Sequence, residues 1–226
     1  LLSRLVAQND QPGALAALNR AIELTLLLAL PAMFAFLLTA DELILTLFQR
    51  GQFDVPAARA TAYALTAYAV GLPAYVLIKV LGPAYFARRD TRTPVLVGIT
   101  AMLVNLILNL ILMQYMAHAG LALATAIAAW LNTGLLAWIL HRRGDLVTDN
   151  RLLQRIGGAI AAVFVMAAVL WWLKGFLAAQ FLGDEIQRIL ALLALVAAGL
   201  FSYAAAAMVF RALRPRELRS LLSRRT

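Results

Sequence analysis

Six stretches of this chain are apolar for long enough to cross a bilayer, with polar punctuation between them. A span takes about 20 mostly apolar residues, which sets candidate spans at 21–40, 61–86, 95–116, 120–140, 156–177 and 189–210. That pattern predicts an all-α fold, a polytopic membrane helix bundle with about six transmembrane helices. Residues 1–20 read as a polar lead-in, the end of an earlier helix followed by a turn at Gln11-Pro12-Gly13. Residues 43–48 are too short to span and either lie at the interface or extend the first helix. Asp54 with Pro56, and Thr93 with Pro94, read as helix starts, a capping side chain with proline just inside.

The second span departs most from a plain lipid-facing helix. Residues 61–94 read TAYALTAYAVGLPAYVLIKVLGPAYFARRDTRTP. Wound at 3.6 residues per turn, Thr61, Tyr68, Gly71, Tyr75, Lys79 and Gly82 share one face. Val70, Leu77, Val80 and Leu81 occupy the other, which suits lipid, while Leu65 and Leu72 blur the polar stripe. A charge near the bilayer centre costs about 2.5–3.5 kcal/mol on insertion scales, so Lys79 is expected to face protein or a water-filled cavity. The competing reading is that its ammonium snorkels to the interface, since it lies only about 13 Å along the axis from Arg88. Pro73 and Pro83 remove helix hydrogen bonds, which a membrane tolerates where neighbouring groups satisfy the backbone again.

Composition narrows the class. The chain has 226 residues, 63% hydrophobic and 14% charged, whereas soluble domains carry about 25% charged residues. The formal charge of +9 would suggest nucleic acid until the charges are located; no nucleic acid is expected, because they gather at helix ends. Arg4, Arg20, Arg88, Arg89, Arg92, Arg142, Arg143, Arg151 and Arg155 fall on one side. The tail adds Arg211, Arg214, Arg216, Arg219, Arg224 and Arg225, making fifteen, against Arg50, Arg59, Lys174 and Arg188 opposite. The positive-inside rule makes the richer side cytoplasmic, with the C-terminus inside. The tail can also hold anionic membrane lipids at about 1 kcal/mol per basic residue.

The remaining polar positions are sparse. Asn105 and Asn109 are four apart on the third span, and Thr125 and Asn132 seven apart on the fourth. Their simplest role is hydrogen bonding between helices; the functional alternative is that the amides line a cavity and contact sugar or phosphate. Small residues in 120–129 and Gly157-Gly158 point to close helix packing. Trp171-Trp172 reads as an interfacial belt. No cysteine is present, and His118 and His141 sit at opposite ends of one span, so neither a metal nor any other cofactor is expected. Gly-rich phosphate loops, nucleophile elbows and metalloprotease signatures do not occur, so no catalytic residue is assigned.

The runs LFQRGQFD (47–54), YAVGLPAYVLIKVLGPAYFARRDTRTPV (68–95), NLILNLILM (105–113) and HAGLALATAIAAWLNTGLL (118–136) resemble the MurJ (MviN) family of lipid II flippases. The specific motifs run to about Arg143; beyond it the match is general hydropathy. The resemblance implies a fragment of a fourteen-helix transporter of the multidrug/oligosaccharidyl-lipid/polysaccharide exporter superfamily. Residues 1–20 would then be a cytoplasmic lead-in, 21–143 four spans of the second lobe, and 144–155 a cytoplasmic loop. Residues 156–210 would be the two extra C-terminal spans, whose groove is thought in the family to take the polyprenyl tail, and 211–226 the basic tail. It also implies a bacterial inner-membrane protein that moves lipid II outward by alternating access for cell-wall synthesis. Its partners would be lipid II, membrane lipids and the missing N-terminal helices. Lys79 would be the cavity charge, with Tyr68, Tyr75, Asn105, Asn109 and Asn132 as polar wall and Arg88, Arg89 and Arg92 as the cytoplasmic basic loop. The alternatives are a polysaccharide-lipid or drug exporter of the same superfamily, and a fragment of a polyprenyl-phosphate membrane enzyme.

Overall fold

The computed structural model describes residues 2–49 and 54–213, all of whose regular structure is helical. Arg50 and Gly51, and the tail arginines from Arg214 onward, lie outside the described residues. The chain divides into two compact units, Leu1–Asp149 and Asn150–Thr226.

The first unit opens with a short helix, α1 (Leu2–Ala7), and a turn in which Asn9 takes φ +55°. The long helix α2 (Gln11–Phe48) follows, with Asp10 accepting from the Gly13 N–H at 2.9 Å. The expected turn at Gln11-Pro12-Gly13 is therefore the first turn of α2, because proline suits a position whose N–H has no helical partner. At 38 residues, α2 is about 57 Å long, well beyond the roughly 30 Å hydrocarbon core. Residues 43–48 extend this helix rather than forming a separate element.

The next span is two helices, α3 (Val55–Val70) and α4 (Leu72–Phe86). Asp54 caps α3 by accepting from the Ala57 N–H at 2.9 Å, as its sequence position suggested. The break falls at Gly71, two residues before Pro73, which has no N–H to continue the ladder. Leu77 and Leu81 were expected to face lipid, but both are buried within the unit. The open stripe of α4 is instead Val76, Lys79, Pro83 and Phe86.

A single helical run, α5 (Arg92–Arg142), holds the third and fourth spans, interrupted at Ala117 (φ 47°, ψ −124°). Three observations show that it folds back there as a hairpin. A Cβ on Gly120 would strike the Leu112 carbonyl; Asn105 Nδ2 donates to Thr125 Oγ1 at 3.3 Å; and Arg143, past its end, binds Asp90, before its start, at 2.6 Å. Thr93 was expected to cap this helix. The capping acceptor is Asp90, whose Oδ1 takes the Thr93 N–H at 3.0 Å and whose Oδ2 takes the Thr93 hydroxyl at 2.6 Å. Five described helices are long and apolar enough to cross a membrane, counting α3–α4 as one and α5 as one. With the two arms of α5 taken separately, the apolar runs number six among the described residues.

In the second unit α6 (Asn150–Phe176), α7 (Ala178–Phe181) and α8 (Glu185–Val209) follow in order. The helix begins at Asn150, inside the stretch 144–155 expected as a loop. Arg155, counted above among the loop arginines, is 5% exposed and donates to the Ala212 carbonyl at 3.0 Å. Gly158 lies against the Phe210 carbonyl and Gly199 against Leu170. Such close approaches are how apolar helices associate in lipid, where burial of apolar surface supplies no driving force.

Candidate functional site

The break at Gly71 organises the site. The missing side chain of Gly71 leaves room for the Tyr75 ring, which lies directly over the break. Tyr68, three residues before the break, puts its ring 6.5 Å from that of Tyr75. The Tyr75 hydroxyl is buried with no hydrogen-bond partner among the described residues. Lys79 follows one turn later, on the same face by helical spacing. It is exposed and makes no hydrogen bond or ion pair among the described residues. A cation, two aromatic rings and an open face thus sit together in an apolar helix.

The second arm of α5 holds this segment in place. Trp130 Nε1 donates to the Val70 carbonyl at 2.9 Å, beside the break, and the Thr133 hydroxyl donates to the Ala74 carbonyl at 3.0 Å. The Tyr85 hydroxyl, on a fully buried side chain, donates back to the Leu136 carbonyl at 2.7 Å. Two donors from α5 and one from α4 therefore stitch the elements together from Val70 to Tyr85. Trp130, Thr133 and Tyr85 were not singled out from the sequence. Their only signal was a polar tip on an otherwise apolar face.

The asparagines form a second, separate group inside the α5 hairpin. Asn109 Nδ2 donates to Asn105 Oδ1 at 2.9 Å, and Asn105 Nδ2 donates in turn to Thr125. Asn109 Oδ1 and Asn132 Oδ1 are buried without partners among the described residues. The chain of bonds from Asn109 through Asn105 to Thr125 is the interhelical role expected of such amides. No hydrogen bond joins it to Tyr68, Tyr75 or Lys79.

The arginine-rich end of the unit is an ordered network. Arg88 Nε pairs with Asp145 Oδ1 at 2.8 Å and its guanidinium also donates to the Ala84 carbonyl at 2.9 Å. Arg143 binds Asp90 and donates to the Thr93 hydroxyl at 3.0 Å, with its guanidinium 5.6 Å from the centre of the Tyr85 ring. The Thr93 hydroxyl and N–H, and then Arg143, hold the Asp90 carboxyl well below the usual carboxylate range. Asp90 in turn raises the already high pKa of Arg143. Asn19 Nδ2 donates to the Val147 carbonyl at 2.8 Å, tying the start of α2 to the same end. Arg89, at φ +59°, and Arg92 are exposed. Of the three basic-loop residues, Arg88 is thus committed to structure while Arg89 and Arg92 project outward.

Comparison with known proteins agrees with this architecture. The family model described as "Lipid II flippase MurJ" matches residues 1–192. A "Probable lipid II flippase MurJ" of Vibrio cholerae serotype O1 is 34% identical over 204 residues, 90% of this chain and 39% of its own length. One of the same name from Rhizobium meliloti is 39% identical over 193 residues, 84% of this chain and 36% of its own. A solved structure titled "Lipid II flippase MurJ, inward closed conformation" superimposes with a TM-score of 0.73 at 23% identity, covering 92% of this chain and 41% of that one. The chain spans about two fifths of the length of these proteins. With the family model covering most of its residues and two relatives above 30% identity, this multi-pass membrane chain belongs to the MurJ family.

Proposed function

We propose that this chain is the C-terminal portion of a flippase that moves lipid II from the inner to the outer leaflet of the bacterial cytoplasmic membrane. The observation that carries the reading is Lys79, a free cation on an open, tyrosine-flanked face of an apolar span. An intramembrane charge is costly and ordinarily marks a pathway. The ammonium would meet the anionic pyrophosphate of the head group in a wet cavity, while the polyprenyl chain stays in lipid. The exposed Tyr68 would offer its hydroxyl to sugar, and Tyr75, whose hydroxyl is buried here, would add its ring to the wall. Asn105, Asn109 and Asn132 would serve as further wall, Asn109 and Asn132 through amide oxygens that have no partner among the described residues. The missing N-terminal helices of the longer protein would form the opposite lobe, and the two would rock to expose the site to each leaflet in turn. The arginine-rich end, with Arg88, Arg89 and Arg92, would face the cytoplasm by the positive-inside rule, and the C-terminal tail would lie on that side.

The test is complementation of a flippase-depleted strain by the full-length protein. Lys79→Ala should abolish growth at unchanged membrane abundance. Lys79→Arg should retain part of it, since the charge stays while its geometry changes. Normal growth with Lys79→Ala would leave snorkelling as the role of this lysine.

A further inference from the structure

The last turns of α5 carry a stripe of exposed side chains. Trp130, Gly134, Trp138 and Arg142 follow one another four residues apart, so they lie along one slanting line of the helix surface, and all four are exposed. Thr133 and Leu136, which meet α4, lie on the other side of the helix. The two indoles are 41% and 55% exposed and about 12 Å apart along the axis, with Gly134 between them. Glycine is a poor helix residue, and Gly120, Gly158 and Gly199 each have a neighbour pressed against them. No neighbour lies within 4 Å of a Cβ placed on Gly134. Its missing side chain instead leaves a shallow outward slot, bounded at either end by a flat ring.

Arg142 points to what the slot takes. Other arginines at this end of the unit face a carboxylate: Arg88 has Asp145, Arg143 has Asp90 and Arg20 has Glu23. Arg142 makes no ion pair or hydrogen bond among the described residues and stands over the Trp138 ring, 5.1 Å from its centre. A guanidinium held by the face of a ring keeps N–H donors free for an anion. The Trp138 indole N–H makes no hydrogen bond among the described residues either. Free donors therefore stand one turn beyond an apolar slot, at the end of a span, where tryptophan ordinarily marks the membrane interface. The complementary ligand has a phosphate at one end and a hydrocarbon chain at the other.

We propose that this stripe is a site for an anionic phospholipid of the leaflet that meets the arginine-rich end of the protein. The phosphate accepts from Arg142 and from Trp138 Nε1, and one acyl chain runs down the slot over Gly134 between the two indoles. Trp130 is fixed as the inner wall, because its Nε1 is already engaged by the Val70 carbonyl at 2.9 Å. The site stands on exposure and charge at the outer face of α5, so it survives even if the transport reading of Lys79 fails.

Bromine on an acyl chain quenches an indole that it touches, which gives a direct test. A full-length variant that keeps Trp130 and Trp138 as its only tryptophans is reconstituted in phosphatidylcholine vesicles. Brominated phosphatidylglycerol should reach half-maximal quenching at a mole fraction about fivefold lower than brominated phosphatidylcholine, as one basic residue near an anionic lipid predicts. Arg142→Gln should abolish that preference while leaving quenching by phosphatidylcholine in place. Gly134→Leu should weaken quenching by both lipids, since it fills the slot. Equal quenching by the two lipids would show that the stripe meets bulk bilayer only. Absence of quenching by either would show that protein covers it. Each of these two results would overturn the proposal, as would a preference that persists in Arg142→Gln. None of the readouts depends on transport, so they are distinguishable from a negative result with Lys79→Ala.

Discussion

Two charges bracket the lower half of the same span and behave in opposite ways. Lys79 has no partner among the described residues, while Asp90 has three, the hydroxyl and N–H of Thr93 and the guanidinium of Arg143. Asp90 therefore titrates below its unfolded value of about 4. Its contribution to stability is fully present above that value and is lost as the pH falls through the folded one. Thermal unfolding of detergent-solubilised wild type and Asp90→Asn should accordingly differ most near neutral pH. The gap should narrow as the pH is lowered below about 4. A gap that stays constant down to pH 3 would mean that the charge on Asp90 contributes nothing. Asp90 was overlooked in the sequence because its neighbour Thr93, followed by Pro94, carries the more obvious capping pattern. Only the return of Arg143 to that point distinguishes the two.

Among the elements, the hairpin α5 depends on one close approach. The two arms meet near the turn with so little space that Gly120 lies against the Leu112 carbonyl, and the Asn105–Thr125 bond lies further along the seam. Gly120→Val should force the arms apart at a cost of about 1–3 kcal/mol, the usual range for overpacking. The consequence is measurable in a second variant. Asn105→Cys with Thr125→Cys should cross-link efficiently through a short thiol reagent, and adding Gly120→Val should lower the yield and the unfolding temperature together. Undiminished cross-linking would show that the seam does not depend on contact at the turn. The two spans of this hairpin were legible from hydropathy, since each is a long apolar run. The break at Ala117 carries no glycine or proline of its own and was visible only as the gap between those runs.

For the molecule as a whole, the structure collects Arg20, Arg88, Arg143 and Asp145 towards one end of the first unit through Asn19–Val147, Arg88–Asp145 and Arg143–Asp90. The hairpin tip, where Tyr115 is 80% exposed, is at the far end of the arms. If the arginine-rich end is cytoplasmic, Tyr115→Cys should label with an impermeant thiol reagent on intact cells, and Arg89→Cys only after permeabilisation. Equal labelling of both from outside would overturn the orientation.

The sequence by itself determined that the chain crosses a membrane repeatedly, because lipid demands long apolar runs and admits few charges within them. It also determined which charges stand apart, and the family resemblance rested on motifs legible in the same way. Only the tertiary structure decided which face of α4 is open, burying Leu77 and Leu81 and leaving Val76 beside Lys79. Periodicity can separate the two faces of a helix, but both faces of a helix in lipid can be apolar, so hydropathy does not say which meets protein. It also decided that Arg155 is a buried pin and that Trp130, Thr133 and Tyr85 fasten α5 to α3 and α4. Those roles depend on a carbonyl oxygen brought close from 50 or more residues away, and no local pattern in a chain records where such an acceptor will come to lie.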